Sequence, residues 1–275
     1  MVENKSSSEH LRVTIFIPTL NEIEGLRAIL PRIDSACYDE IIVVDGGSTD
    51  GTVEFLQAQG VTVQHEERKG VVNAYCQGFR ASTGDIFVTI QGDGNCMPEL
   101  IPDLVREARK GYDVVFVSRY LPPARSYDDG TLTAFGNHMF TRVINLFFGG
   151  KYTDALGGFR AYRRSAVHAM ALDAMPDANW LTRRYDLLNS WEIGACARAA
   201  KLKLNVLEIA GDEPKRIGGK SKVSVIRNGL MALSQILLEV WIGRRFASSA
   251  RPATSPRSTA TLNDSDRVVR VRSGS

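Results

Sequence analysis

Residues 41–52 read IIVVDGGSTDGT. Ile41–Val44 is a short apolar run of strand type, Asp45-Gly46-Gly47 interrupts it, and a helical pattern follows over Thr52–Gln59. A buried strand that passes through a glycine turn into a helix is the repeating unit of a parallel sheet. The same alternation extends in both directions. Further strand runs are Val13–Ile17, Val61–His65, Ile86–Ile90 and Val114–Val117, and helical patterns lie at Ile23–Ile33, Val71–Ala81 and Pro98–Lys110. In the last of these Leu100, Ile101, Leu104, Val105 and Ala108 make one apolar face, Pro98 sits near the first turn, and Lys110-Gly111 marks the end. The chain is therefore predicted to be α/β, with a mostly parallel sheet covered by helices on both faces.

In such sheets ligands bind beyond the carboxyl ends of the strands. The segments that follow the strands are rich in polar residues and glycine: Pro18-Thr19-Leu20-Asn21-Glu22, then Asp45 to Thr52, Gln91-Gly92-Asp93-Gly94-Asn95, and Ser118-Arg119-Tyr120. Asp45 can accept hydrogen bonds from a base or ribose, or simply shape a turn, with Ser48 or Asp50 capping the next helix and Glu54 reaching back. Asp93, with Asn95 and Gln91 beside it, offers oxygen ligands to a hard cation. Arg119, Arg125 and the stretch 215–222, KRIGGKSK, supply the positive charge a diphosphate needs.

The rest of the chain sets bounds on these readings. With 275 residues, 44% hydrophobic and 24% charged, it has an ordinary globular composition. Five arginines and two aspartates after residue 247 account for the whole net charge of +3, so the remainder presents no basic balance for nucleic acid. Cys37, Cys76, Cys96 and Cys196 are scattered without metal spacing, which suits a reducing compartment. The first ten residues are polar, and no run approaches the ~18 apolar residues of a spanning helix. A loop is expected over 121–136, a helix over Asn137–Phe148, a second block over Tyr152–Gly219, and a long helical pattern over Val223–Phe246.

The order of these segments resembles the inverting family 2 glycosyltransferases of the GT-A fold, particularly the dolichol- and polyprenyl-phosphate sugar synthases. The resemblance rests on IPTLNE (17–22), VVDGGSTDGT (43–52), the stretch from Glu67 to Asp93, DALGGFRAYRR (154–164) and RIGGKSK (216–222). It covers residues 11–225, which it implies are one GT-A domain. Residues 1–10 are then a disordered N-terminus, 226–247 an amphipathic C-terminal helix and 248–275 a disordered basic tail. By resemblance, Pro18, Thr19, Asn21, Glu22, Asp45, Gly47, Lys69, Gly70, Gln91 and Gly92 hold the nucleotide. Asp93 and Asn95 sit by a Mg²⁺ or Mn²⁺ ion. Arg119, Arg160, Arg216 and Lys222 face phosphate or acceptor, and Asp154 shapes the acceptor pocket. One departure stands out: the family's Asp-x-Asp metal motif begins here with Gln91, which leaves Asp93 to carry most of the metal binding.

The implied reaction is transfer of a sugar, with inversion, from a nucleotide diphosphate sugar to a polyprenyl phosphate or a cell-envelope glycan. A lipid phosphate acceptor is already an anion and needs no general base. A hydroxyl acceptor needs a carboxylate, for which Glu192 is the first candidate and Asp154 the second. The helix near Val223–Phe246, with Ile226, Leu230, Leu233, Leu237, Val240 and Trp241 at helical spacing, either packs on its own domain or rests on a bilayer. A cytoplasmic protein in peripheral contact with the inner face of the plasma membrane is expected. A catalytically inactive nucleotide-sugar-binding or assembly protein and a nucleotidyltransferase are the alternatives.

Overall fold

The computed structural model describes residues 11–174, 190–218, 225–246 and 268–270. Eight strands form one sheet in the order β3-β2-β1-β4-β6-β5-β7-β8. They are β1 (Val13–Thr19), β2 (Glu40–Asp45), β3 (Thr62–His65), β4 (Ile86–Thr89), β5 (Val114–Ser118), β6 (Arg160–Arg163), β7 (Val206–Ala210) and β8 (Val268–Arg270). The β1–β2, β2–β3, β1–β4 and β5–β7 pairs are parallel. β6 is antiparallel to both β4 and β5, so it enters the sheet at the edge where those two leave it. The carboxyl ends of six strands (β1 to β5 and β7) and the residues leading into β6 therefore share one edge.

Helices α1 (Ile23–Ile29), α2 (Thr52–Ala58) and α4 (Ile101–Arg109) cover one face of the sheet. The other face carries α3 (Val71–Ala81), α5 (Thr131–Phe148), α6 (Arg164–Ala169), α7 (Trp191–Leu202) and α8 (Val225–Ile242). The period-2 alternation of β1 serves both layers: Ile15 and Ile17 pack in the first, and Phe16 in the second. There Phe16 stacks on Phe87 at 5.3 Å and meets the edge of Tyr75 at 5.1 Å. Both layers are buried, and the sheet between them carries the edge loops.

Several expectations are adjusted. The helix from Ile23 ends at Ile29 and continues as one 3₁₀ turn, because Pro31 has no N–H to extend the α-helical ladder. α5 begins at Thr131 rather than near Asn137, which shortens the expected loop. α8 is no appendage: Ala232 and Ile236 belong to the same core cluster as Trp191. The tail is not disordered throughout, since Val268–Arg270 pairs antiparallel with β7. Two adjacent valines suit the edge that β7 would otherwise leave open.

Candidate active site

The loops after β1 and β2 are stitched to one another. The Asp45 carboxylate, almost fully buried, accepts from the backbone N–H of Gly47 (2.9 Å) and Ser48 (3.0 Å) and from the Ser48 hydroxyl. Ser48 Oγ in turn accepts from the N–H of Asn21 at 2.7 Å, and Asn21 Oδ1 accepts from Thr49 N–H at 2.7 Å. Asn21 is held at φ 52°, a left-handed conformation that asparagine tolerates better than most residues. Asp50 bonds to the N–H groups of Ile23 and Thr52, so it caps across two helices, while Gly51 occupies the N-cap position of α2 itself. Asp45 thus shapes the loop with its own oxygens. Pro18, Thr19, Glu22 and Gly47 lie on this same edge, and Lys69 and Gly70 lead into α3 beside it.

Asp93 lies at the centre of the edge. Its backbone abuts α1 so closely that a side chain at Gly25 would come within 2.2 Å of the Gly92 carbonyl oxygen. The buried Asp93 carboxylate contacts Arg216 Nη2 at 2.7 Å, and the other nitrogen of that fork, Nη1, is 4.0 Å from Glu22 Oε1. Ile217 N–H donates to the Asp93 carbonyl at 2.9 Å, which folds the segment after β7 onto the site. Burial pushes the Asp93 carboxyl above its usual range, against the opposing pull of Arg216. Asn95 donates its backbone N–H to Asp93 and its amide to Glu213.

Across the edge, Arg119 at the end of β5 is enclosed by carboxylates. It bonds Asp154 through Nε (2.6 Å) and Nη2 (3.0 Å), Glu213 through Nη1 (3.2 Å), and approaches Asp129 at 3.5 Å. Burial alone would push the Asp154 carboxyl up, but Arg119 outweighs it and holds Asp154 below the ordinary range. Glu208 on β7, fully buried, accepts from the backbone N–H of Thr153 and Asp154. Its burial raises its pKa to about 7.

Three sequence expectations are corrected here. Arg119 does not present a free fork to phosphate, because its donors are used by three carboxylates. Asp154 is unsuited to the role of base, since it is fully buried, ionised and doubly bonded to Arg119. Arg160 does not reach an acceptor: it is fully buried and donates to the carbonyls of Ala155 (2.8 Å), Gly157 (2.6 Å) and Glu192 (3.3 Å), with Phe116 beneath its guanidinium at 4.6 Å. It is a strut that ties the loop before β6 to the start of α7. The three share a physical reason. A guanidinium or carboxylate this deep must be paired within the protein, because burying it unpaired costs several kcal/mol.

Glu192 stands in the first turn of α7, accepts from the hydroxyl of the N-cap Ser190 at 3.0 Å, and lies close to the Tyr75 hydroxyl. A Cβ at Gly158 would lie 3.6 Å from Glu192 Oε1 and 2.7 Å from Gln91 Nε2. Gln91 and Glu192 therefore meet over the bare backbone of Gly158, and a small cavity of about 70 Å³ between Gln91, Arg119, Gly158 and Glu213 opens beside them. Asp129, Glu208 and Glu213 were missed by sequence reasoning. Glu208 and Glu213 act on partners 55 and 94 residues away, Thr153 and Arg119, and no local pattern marks such a pair; Asp129 meets Arg119 only ten residues back, but in a loop without periodicity. Lys222 lies outside the described residues.

Among the described residues no cluster of three or more His, Cys, Asp or Glu is built to hold a metal on its own. A divalent cation shared with a diphosphate needs only one or two carboxylates plus neutral oxygens. The Arg216 guanidinium already stands against Asp93 and near Glu22, so this point of the edge accommodates positive charge. Asp93, with the Gln91 and Asn95 amides on the same turn, fits Mg²⁺ or Mn²⁺.

Comparison with known proteins agrees with this geometry. The family model for glycosyl transferase family 2 matches residues 14–170. The undecaprenyl-phosphate mannosyltransferase of Micrococcus luteus is 30% identical over 227 residues, covering 78% of this chain and 88% of that protein. An undecaprenyl-phosphate 4-deoxy-4-formamido-L-arabinose transferase of Klebsiella pneumoniae is 33% identical over 171 residues, 58% of this chain, which spans only about half (51%) of that relative. In fold, the chain resembles glucosyl-3-phosphoglycerate synthase from Mycobacterium tuberculosis, solved with Mn²⁺, UDP and glucosyl-3-phosphoglycerate. That match has a TM-score of 0.60 at 20% identity, over 87% of this chain and 82% of the other. The parallel sheet with its acidic carboxyl edge is thus the GT-A arrangement, and the chain belongs to glycosyl transferase family 2.

Proposed function

We propose that this glycosyltransferase moves a hexose-type unit from a nucleoside diphosphate sugar to a polyprenyl phosphate, with inversion at the anomeric carbon. The observation that carries the reading is the buried Asp93 carboxylate at the carboxyl edge, capped by Arg216. The names of the relatives above support the lipid phosphate acceptor, and family membership sets the nucleotidyltransferase reading aside. The stitched loops after β1 and β2 form the nucleoside pocket. As the sugar–phosphate bond breaks, positive charge grows at the anomeric carbon and negative charge on the leaving diphosphate. A divalent cation held by Asp93, Gln91 and Asn95 supplies Lewis-acid stabilisation of that leaving group when bound. Arg216 adds a guanidinium at the same place, and Lys222, six residues on, supplies a second cation.

The acceptor enters on the opposite side, by Gly158 and Glu192. A phosphate oxygen attacks as the anion it already is, and in-line attack opposite the leaving group inverts the centre. Arg119, Arg160, Asp154 and Glu208 hold this wall in place without touching substrate. Because nucleotide sugars and reduced cysteines belong to the cytosol, the working position is the inner face of the plasma membrane. A hydroxyl acceptor such as an envelope glycan is the second reading, favoured only by the position of Glu192.

Calorimetric titration of UDP and GDP, each with Mn²⁺ and again with EDTA, tests the donor site. Binding of one of them, tightened by Mn²⁺, is expected. Incubation of the matching labelled nucleotide sugar with undecaprenyl phosphate should place label in the lipid fraction, with the opposite anomeric configuration by NMR. Glu192→Gln then separates the acceptors. It should slow transfer to a phosphate by less than about tenfold and to a hydroxyl by about 10²–10⁴-fold. Absence of nucleotide binding, or of transfer to any acceptor, would overturn the proposal in favour of an inactive binding protein.

A further inference from the structure

α5 and α8 are built inside out. α5 buries Asn137, Thr141 and Ile144, yet exposes Leu132, Phe135, Met139 and Leu146, the last 81% accessible. α8 buries Gln235 and Glu239 with Ala232 and Ile236, and exposes Leu230, Leu233, Leu237 and Trp241, the last 70% accessible. Both outward stripes recur at spacings of three and four, so each occupies one helix face. The helices pack on each other and on α7, and a Cβ at Gly229 of α8 would sit 3.9 Å from Phe140 of α5. Their outer faces therefore form one apolar surface with large side chains where a helix facing water carries charges.

The charge around this surface selects its occupant. α5 contains no acidic residue, and the single acid of α8, Glu239, is buried against Arg198 and Lys201. Arg142 is exposed in the slot of the α5 stripe between Met139 and Leu146, and Arg244 and Arg245 are exposed just past α8. An apolar face without carboxylates, edged by arginine and carrying an aromatic side chain at its margin, matches the headgroup boundary of an anionic bilayer. The surface also continues into the site. α5 starts two residues after Asp129, whose carboxylate accepts from Tyr120 and Asn137, and Gln235 of α8 accepts from Ser190 N–H at the N-cap of α7. Among the described residues no helix is long and apolar enough to cross a membrane, so any hold on a bilayer made by them is a surface contact.

We infer that the paired outer faces of α5 and α8 seat the protein on an anionic bilayer and so deliver a lipid-borne phosphate to the edge between Arg119 and Glu192. This rests on the lipid phosphate acceptor proposed above and adds the surface that reaches it. The test is co-sedimentation of the full chain with phosphatidylcholine vesicles containing about one-third phosphatidylglycerol, against phosphatidylcholine alone. The wild type should pellet with the anionic vesicles and be released by salt. Leu146→Ser combined with Leu237→Ser should weaken vesicle binding by about tenfold or more, with nucleotide affinity unchanged. Arg142→Glu, at an exposed position that leaves the core intact, should weaken binding to anionic vesicles only. Failure of the wild type to pellet while it still binds nucleotide would overturn this inference and leave the donor site standing. Elution as a dimer that Leu146→Ser and Leu237→Ser split into monomers would assign the face to a second copy and equally overturn it. Loss of nucleotide binding with vesicle binding retained would strike the proposed reaction, not the surface.

Discussion

The two walls of the active-site edge are built by different means. On the β1–β2 side, Asp45, Ser48, Asn21 and Asp50 satisfy one another across two loops that follow adjacent parallel strands, mostly through backbone N–H groups. On the β5–β7 side, Arg119 gathers Asp154, Glu213 and Asp129 from three separate segments, and Arg160 ties a fourth. The first wall is a hydrogen-bonded turn whose parts are cheap to disturb singly. The second is a buried charge network that tolerates no missing member, since each loss leaves an uncompensated ion. A pocket that must admit and release a nucleotide suits the first design, and a wall that must hold its shape against a reacting centre suits the second.

Substitutions can break or sharpen this contrast. The largest effect is expected at the seam between the walls: Asp93→Ala should lower kcat about 10³-fold, measured by label transfer, while the fold persists. Next, Arg119→Met should destabilise the protein by about 3–5 kcal/mol in denaturant unfolding, because Asp154 and Glu213 lose their counter-charge. If Arg119→Met instead left stability intact and abolished only phosphate binding, the second wall would be a ligand site after all. Asp45→Asn should cost about 1–2 kcal/mol and raise the nucleotide Kd several-fold, since the amide replaces only part of the acceptor capacity that orders Gly47 and Ser48. The smallest effect concerns pH. Glu208 is a carboxyl whose folded pKa, about 7, lies above its ordinary 4.5. The unfolded chain then releases its proton first, so the stability contributed by neutral Glu208 is complete below pH 4.5 and is lost as pH rises through about 7. Thermal melts should show the wild type weakening across that window, and Glu208→Gln should flatten that part of the profile.

The legible part of this protein follows the same division. The strands β1 to β5 and helices α1 to α4 were readable because each is a local periodic pattern, as the apolar face of α4 and its stop at Lys110-Gly111 show; the end of α1 was read past Pro31. The loops after β1, β2 and β4 were readable because a parallel strand announces where its own carboxyl end lies. β6 was hidden in a four-residue stretch, RAYR, that begins and ends with arginine. Its strand character comes from the slot between β4 and β5, where the Arg160 guanidinium donates to three carbonyls and Arg163 to the carbonyls at the end of α4. Arg119, Asp154 and Arg160 were assigned to ligands by resemblance, because no local pattern shows that their partners lie within the protein.

The sequence alone determined the α/β class and the order of the polar segments, with Gln91 and Asp93 just beyond the carboxyl end of β4. Only the tertiary structure decided which charges are paired with each other inside the protein. The reason is range. Hydrophobic periodicity and glycine turns act over a few residues and are written locally, whereas ion pairing depends on distances through space between residues far apart in the chain, as in Arg119–Glu213 and Arg216–Asp93. The antiparallel insertion of β6 between β4 and β5 brings those residues to the edge, which the structure divides into a hydrogen-bonded turn and a buried charge network.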